Sequence, residues 1–366
     1  MLALLGLRAP SLVLGGIAIR RHPWKWIILC VLAAALLVWL VSLLTTGHVF
    51  DWRVAIGSFG RLRWGWIAIS VVPIFGTYLV RALRWAIFLR PLKPHASISR
   101  LLAATIVGFT AITLFGRPGE FVRPYLIARK EGVPVTSQVA AWALERLFDL
   151  LMALLVFAFA LTRVQSSGMH VGAKLEWVLE AGGQVVAVTC VLVLGILLSL
   201  RHFADPVRRR LLAALHRLPE KRYRGIERLV DAIVEGVRST RSDAAMVAVF
   251  LYSLAEWILI CGCYWCLARA FHGVVNLGFL DVMILMGFVS FGSVIQIPGV
   301  GGGMQVVSVL VLTELFGVRV ELASSFALFL WALTFVAIVP VGLFLGLKEG
   351  LDWHSLRRIG REVSSE

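Results

Sequence analysis

The sequence predicts an all-α polytopic membrane protein, a bundle of lipid-embedded helices, and three observations carry that expectation. Hydrophobic residues fill 59% of the 366 positions and charged ones only 16%, with a mean hydropathy of +0.87, more apolar surface than one soluble core hides. Uninterrupted apolar runs recur at 24–44, 65–80, 139–161, 184–200, 244–268 and 323–347, each near the roughly 20 residues a helix needs to cross a bilayer. Two further apolar regions, 101–126 and 279–316, are interrupted by Pro-Gly, at Pro118-Gly119 and Pro298-Gly299.

Taken in order, the run 24–44 reads as a retained anchor. It is long, no A-x-A-like cleavage site follows it, and more spans come after. The formal net charge of +15 does not indicate nucleic acid, because the basic residues sit mainly beside spans, where membrane orientation requires them. The stretch 1–25 has four basic residues and no acid, 81–100 has five and no acid, and 201–243 has eleven against six acidic. These segments are expected in the cytoplasm. The poorly basic 162–183 and 268–280 are expected outside, and so is 45–64, despite Arg53, Arg61 and Arg63.

Parity then assigns the interrupted regions. With 81–100 inside, 162–183 outside and one uninterrupted span between them, 101–130 enters and returns on the cytoplasmic side, turning near Arg117-Pro118-Gly119. The same arithmetic makes 279–316 a return loop from outside, turning at Pro298-Gly299. "GFTAITLFGRPGEF" from Gly108 aligns with "GFVSFGSVIQIPGV" from Gly287. "EGVPVTSQVAAWAL" from Glu131 aligns with "FGVRVELASSFALF" from Phe316. The closing spans run in opposite directions, so repeat one (24–161) and repeat two (184–347) are expected to be inverted, with a substrate site where broken helices meet near the midplane. A basic and acidic tail, 348–366, completes the 1–347 membrane domain.

Charged side chains inside such spans cost about 2.5–3.5 kcal/mol each at the bilayer centre, so they face partners or a cavity. Glu145, Arg146 and Asp149 stand in "AWALERLFDLLMALL", and Glu256 stands alone in "LYSLAEWILI". Glu120 lies between Arg117 and Arg123 just after Gly119. A helix starting near Glu120 would offer N–H donors and a partial positive charge, with Arg117 and Arg123 adding forks suited to phosphate. Two readings stay open: an anion site for a lipid phosphate, or mutual neutralisation that locks the return loop to the next span. At the second turn Pro298, Gly299 and Gln305 either line the site or serve close helix packing.

"CGCYWC" places Cys261 and Cys263 on nearly opposite sides of a helix, so the five cysteines read as small residues in spans, with neither metal nor disulfide expected. "GVGGG" lacks the preceding strand and following lysine of a nucleotide loop. No cofactor is expected. The segment 201–243 mixes basic and apolar residues as an amphipathic surface helix does.

"GRPGEFVR", "ALERLFDLL" and "IPGVGGGMQ" together resemble the lysylphosphatidylglycerol synthase/flippase transmembrane family, typified by the membrane region of the multiple peptide resistance factor. The resemblance runs from about the first span to Leu347. It implies a flippase-like integral membrane protein that moves or handles a lipid with a polar head group, and it carries over Arg117, Gly119, Glu120, Arg123, Glu145, Arg146 and Asp149. Gln305 departs from the glutamate of many members. The chain runs nineteen residues past the last span with no soluble aminoacyl-transferase domain, so lysyl transfer by this chain alone is not expected. Glu145 or Glu256 could serve a membrane-embedded transferase as base, but no nucleophile or metal set accompanies them, and no enzymatic activity is expected.

The leading expectation is a translocase in a bacterial-type plasma membrane with both termini cytoplasmic. It would hold a phosphate-containing head group with Arg117, Arg123 and Arg146, and Glu120, Asp149 or Glu256 would carry protons. The alternative is a non-transporting accessory that binds lipid intermediates and recruits a lipid-modifying or glycosylating enzyme through 201–243. Membrane lipids are the expected partners in both cases.

Overall fold

A computed structural model of the chain describes residues 50–166, 182–196, 243–293, 296–297 and 301–348, with a few single positions between 212 and 231. The expected span 24–44, most of the segment 201–243, the Pro298-Gly299 corner and the tail beyond Lys348 lie outside the described residues. The described chain is almost entirely helical. Five helices are long and apolar enough to cross a membrane: Trp64–Leu89, Ile98–Phe115, Val135–Ser166, Asp243–Ala270 and the continuous stretch Val320–Lys348.

The short helix α1 (Trp52–Phe59) starts at Asp51, whose side chain caps the Arg53 N–H. The span α2 (Trp64–Leu89) follows. It outruns the expected 65–80 because the next helix-stopping residue after Val80 is Pro91. Consequently Arg81 and Arg84, read from sequence as loop charges, belong to the membrane helix; Arg84 is fully buried.

Next comes a hairpin. Its first limb, α3 (Ile98–Phe115), ends at Gly116, whose φ of 71° favours glycine. A 3₁₀ turn, Arg117–Phe121, carries Pro118 at its start, where a missing N–H costs least. The return limb α4 (Val122–Glu131) stops at Gly132 in the left-handed conformation, with Arg129 and Lys130 in its last turn complementing the helix dipole. The limbs touch backbone to backbone: a Cβ on Gly119 would collide with the Ala111 main chain, and one on Gly108 would meet Arg123.

At the open end of the hairpin the Glu131 carboxylate forms ion pairs with Arg100 at 3.0 Å and with Lys93 at 2.8 Å, while Lys93 also donates to the Glu131 carbonyl at 2.9 Å. Both ends therefore lie on one face, as parity requires. One difference from expectation is the depth. At 1.5 Å per residue α3 is about 27 Å long, close to the full hydrocarbon thickness.

The span α5 (Val135–Ser166) closes this half, and the apolar helix α6 (Gly182–Ile196) follows. The span α7 (Asp243–Ala270) comes next in the second half. It packs antiparallel along α2, so that the Arg63 N–H donates to the Ala270 carbonyl at 3.0 Å. On its outer face Val247, Phe250, Leu251, Leu254 and Ile258 are exposed at helical spacing among the described residues, an apolar row of the kind that faces lipid.

The second hairpin comprises α8 (Phe279–Gly292), the two-residue strands β1 (Gln296–Ile297) and β2 (Gly301–Gly302), and α9 (Gly303–Glu314). The strands pair antiparallel, with Gln296 opposite Gly302 and Ile297 opposite Gly301. Gly301 and Gly302 have φ of 120° and 149°, values that side-chain-bearing residues rarely adopt. The closing stretch is α10 (Val320–Trp331), a π turn at Ala332–Val336, and α11 (Val339–Lys348).

The helices exchange contacts between halves. Gly287 of α8 lies against Val156 and Ala160 of α5, and Gly342 of α11 lies against Thr110 of α3. Each hairpin thus rests on the closing span of the other half. One apolar cluster runs through α5, α7, α8, α9 and α10, and a second fills the space between α2, the first hairpin and α5.

Candidate functional site

Between the second cluster and α7 the apolar packing gives way to a network of charges. Helical spacing places its members: Ser253 and Glu256 share the inner stripe of α7, Arg81 and Arg84 that of α2, and Glu145 and Asp149 that of α5. Arg123 comes from the return limb of the first hairpin. With a rise of 1.5 Å per residue, Arg84 lies about 8 Å, Arg123 about 12 Å, Glu145 about 15 Å and Glu256 about 20 Å from the helix ends on the Lys93 and Glu131 face. The cluster sits well inside a hydrocarbon layer of about 30 Å.

Glu145 is the hub. Arg123 donates both terminal nitrogens to it, Nη1 to Oε2 at 2.9 Å and Nη2 to Oε1 at 3.1 Å, in the paired geometry that makes guanidinium–carboxylate contacts strong. Arg84 Nη2 donates to the same Oε1 at 2.6 Å, and Arg146 approaches Oε2 at 3.5 Å. Arg84 reaches three more groups: Ser253 Oγ at 2.8 Å, Asp149 Oδ1 at 2.8 Å and Glu256 Oε2 at 3.3 Å. The last two are charge contacts without hydrogen-bond alignment, since Asp149 Oδ1 and Glu256 Oε2 have no hydrogen-bonded donor. Arg81 holds Glu256 Oε1 at 2.6 Å, and Arg146 holds Asp149 Oδ2 at 2.9 Å.

Aromatic faces cover the guanidinium planes. Arg123 lies 4.0 Å from the Trp85 ring centroid and Arg81 lies 4.4 Å from that of Phe109, positions in which the ring quadrupole favours a cation. The Trp85 indole is itself fixed by donating to Gln138 Oε1 at 2.9 Å.

The sequence-predicted residues divide into groups. Arg123, Glu145, Arg146, Asp149 and Glu256 come together, and Glu256, solitary in sequence, has two arginine partners. Arg117 and Glu120 pair with each other at 3.3 Å at the hairpin tip, where Arg117 is 60% exposed. The α-helix begins at Val122, after the 3₁₀ turn, and the Gly119 and Val122 N–H groups are spent on Gly116 and Gly119 carbonyls. Arg123 points its fork at Glu145, so the expected cradle of Arg117 and Arg123 around a helix start at Glu120 does not form. Gly119 acts in limb packing. Gln305 caps its own turn, accepting from the Gly302 N–H at 2.6 Å. Pro298 and Gly299 lie outside the described residues.

Arg81, Arg84 and Ser253 were not singled out by sequence. The signal was present: nothing between Val80 and Arg90 stops a helix, and Arg81 and Arg84 recur at the three-residue spacing of one face.

The two halves also meet through hydroxyl groups near the π turn. Thr113 donates to the Phe335 carbonyl at 3.2 Å, and Thr110 and Tyr78 reach the Ile338 and Thr334 carbonyls at 3.5 Å each. A π turn leaves carbonyls misaligned with the regular ladder, and side chains of the first half take them up.

Comparison with curated proteins finds no match, and comparison with solved structures finds none either. The family model for the lysylphosphatidylglycerol synthase TM region matches residues 15–342. The chain, an integral membrane helix bundle with a membrane-lipid-related function, therefore belongs to the lysylphosphatidylglycerol synthase transmembrane family.

Proposed function

We propose that the protein moves a lipid with a phosphate-containing head group between leaflets, without making or breaking a covalent bond. The acyl chains stay in the bilayer while the head group passes the charged network. The observation that carries this reading is the network itself: seven ionisable side chains inside the bundle, contributed by both halves. Arg146, Asp149 and Arg81 keep 38%, 16% and 14% of their side chains exposed. That opening gives a head group access to charges which, inside a span, need a partner or a cavity.

The exchange of contacts between halves supports the same reading. The spans α2 and α7 pack antiparallel, and each hairpin rests on the other half's closing span, a reciprocity that inverted repeats and a rocking mechanism call for. In this reading Asp149 or Glu256 carries the coupling proton, the protein sits in a plasma membrane, and the Lys93 and Glu131 face is cytoplasmic, as are both termini.

The test is a leaflet-resolved assay in liposomes holding the purified chain, with fluorescent lipids and dithionite quenching of the outer leaflet. We expect transfer of a phospholipid above that of empty liposomes, abolished in Arg123→Ala and Arg84→Met. Transfer indistinguishable from protein-free liposomes for every lipid class removes the proposal.

A further inference from the structure

We propose that the network is a single-anion site, built for a head group whose only net charge is one negative charge on a phosphodiester. The proposal takes its route from the translocation reading above, but its charge rule stands on separate observations. Arg81, Arg84, Arg123 and Arg146 supply four positive charges; Glu145, Asp149 and Glu256, with no coupling proton bound, supply three negative ones, and the Arg117–Glu120 pair beside Arg146 adds one of each sign. Among the described residues the balance is one uncompensated positive charge, 4 − 3 = +1, inside apolar surroundings where an unmatched charge is costly.

The hydrogen-bond inventory points the same way. On all four arginines the buried Nε–H has no acceptor. Four donors of one kind without partners in one cluster is far from the usual near-complete pairing of buried polar groups. A phosphodiester supplies what is missing: one negative charge and two unesterified oxygens that accept from guanidinium forks. The Nε groups are covered in this conformation, so the ligand approaches from the edge where Arg146 and Asp149 are exposed. A zwitterionic head group returns the positive charge through its amine, and a dianionic one overshoots and leaves the site net negative.

Retention and competition on the purified full-length chain test this, read by native mass spectrometry after exchange into mixed micelles. The probes are phosphatidylglycerol, phosphatidylcholine and phosphatidic acid, the last at about pH 8, where its phosphomonoester carries close to two charges. We expect phosphatidylglycerol to be retained over the other two by on the order of tenfold. Asp149→Asn raises the balance to +2 and shifts preference toward phosphatidic acid. Arg146→Gln lowers it to zero and shifts preference toward phosphatidylcholine. Opposite shifts are a signature that mere loss of folding does not produce.

Equal retention of the three lipids, or both variants shifting the same way, overturns the proposal. Soluble glycerophosphoglycerol binding in place of any lipid overturns the lipid assignment. If the retention pattern holds while liposomes show no transfer, the single-anion site stands and the translocation reading falls.

Discussion

Replacing Glu145 by glutamine keeps the shape of the hub and removes its charge. Arg123 then loses the paired, charged acceptor it holds at 2.9 and 3.1 Å, since one oxygen becomes an N–H donor facing the guanidinium and the other is neutral; it keeps the Trp85 face and a 3.5 Å approach to the Arg81 carbonyl. The 2.6 Å partner of Arg84 loses its charge, and the network balance rises from one to two positive charges. Because the group is wholly buried, the loss belongs at the upper end of the range for breaking a buried pair, about 5 kcal/mol. Arg84→Met removes as many contacts but leaves every carboxylate one arginine: Arg123 on Glu145, Arg146 on Asp149 and Arg81 on Glu256. Its cost belongs at the lower end, about 3 kcal/mol. Arg117→Gln, at the exposed tip, costs at most about 1 kcal/mol. The double variant Glu145→Gln with Arg84→Met restores the original balance, so its loss falls short of the sum by about 1–3 kcal/mol. Reversible unfolding in mixed detergent–SDS micelles, followed by tryptophan fluorescence, reads all four. A Glu145→Gln loss below about 1 kcal/mol, or strict additivity in the double variant, refutes the argument that these charges stabilise one another.

Three further outcomes are expected. Gly119→Ala forces the hairpin limbs apart against backbone and costs about 1–3 kcal/mol, whereas Gly132→Ala meets only backbone strain and costs about 1 kcal/mol; thermal unfolding in detergent should rank them in that order. Gln305→Leu leaves the Gly302 N–H without its side-chain acceptor and loses about 1–3 kcal/mol by the same measurement. In a background with all five native cysteines replaced, thiol reagents should label Lys93→Cys and Arg129→Cys from one side of the membrane and Arg63→Cys and Arg319→Cys from the other. Labelling of Lys93→Cys and Arg63→Cys from one side contradicts the course of α2.

Much of the helical architecture was legible because each span carries its own signal, hydrophobic length, and each break carries Pro-Gly. The return of the first hairpin followed from loop charge alone, and Glu131 between Lys93 and Arg100 shows its two ends brought together on one face. The site was only half legible. Glu145, Arg146 and Asp149 stand out inside an apolar run, but Arg81 and Arg84 adjoin one, and a charge beside a span looks the same as a loop charge. What makes Arg84 a membrane residue is Glu256 and Ser253 on a helix far along the chain, and no local pattern reports a partner that distant. Arg117 and Arg123 misled for the opposite reason. Proximity in sequence suggested a shared ligand, while the 3₁₀ turn and the return limb send one to the tip and the other to Glu145.

Gly342 against Thr110 and Gly287 against Ala160 have a consequence for how the protein is made. The first hairpin leaves the ribosome long before the helix that covers it, so during synthesis its Thr110 flank waits in lipid until α11 arrives. Assembly is then completed by the last span, and neither half matures ahead of the other. A chain truncated after Trp331 should insert all earlier spans yet leave residues 98–131 open to protease digestion in detergent, while the full-length chain protects them.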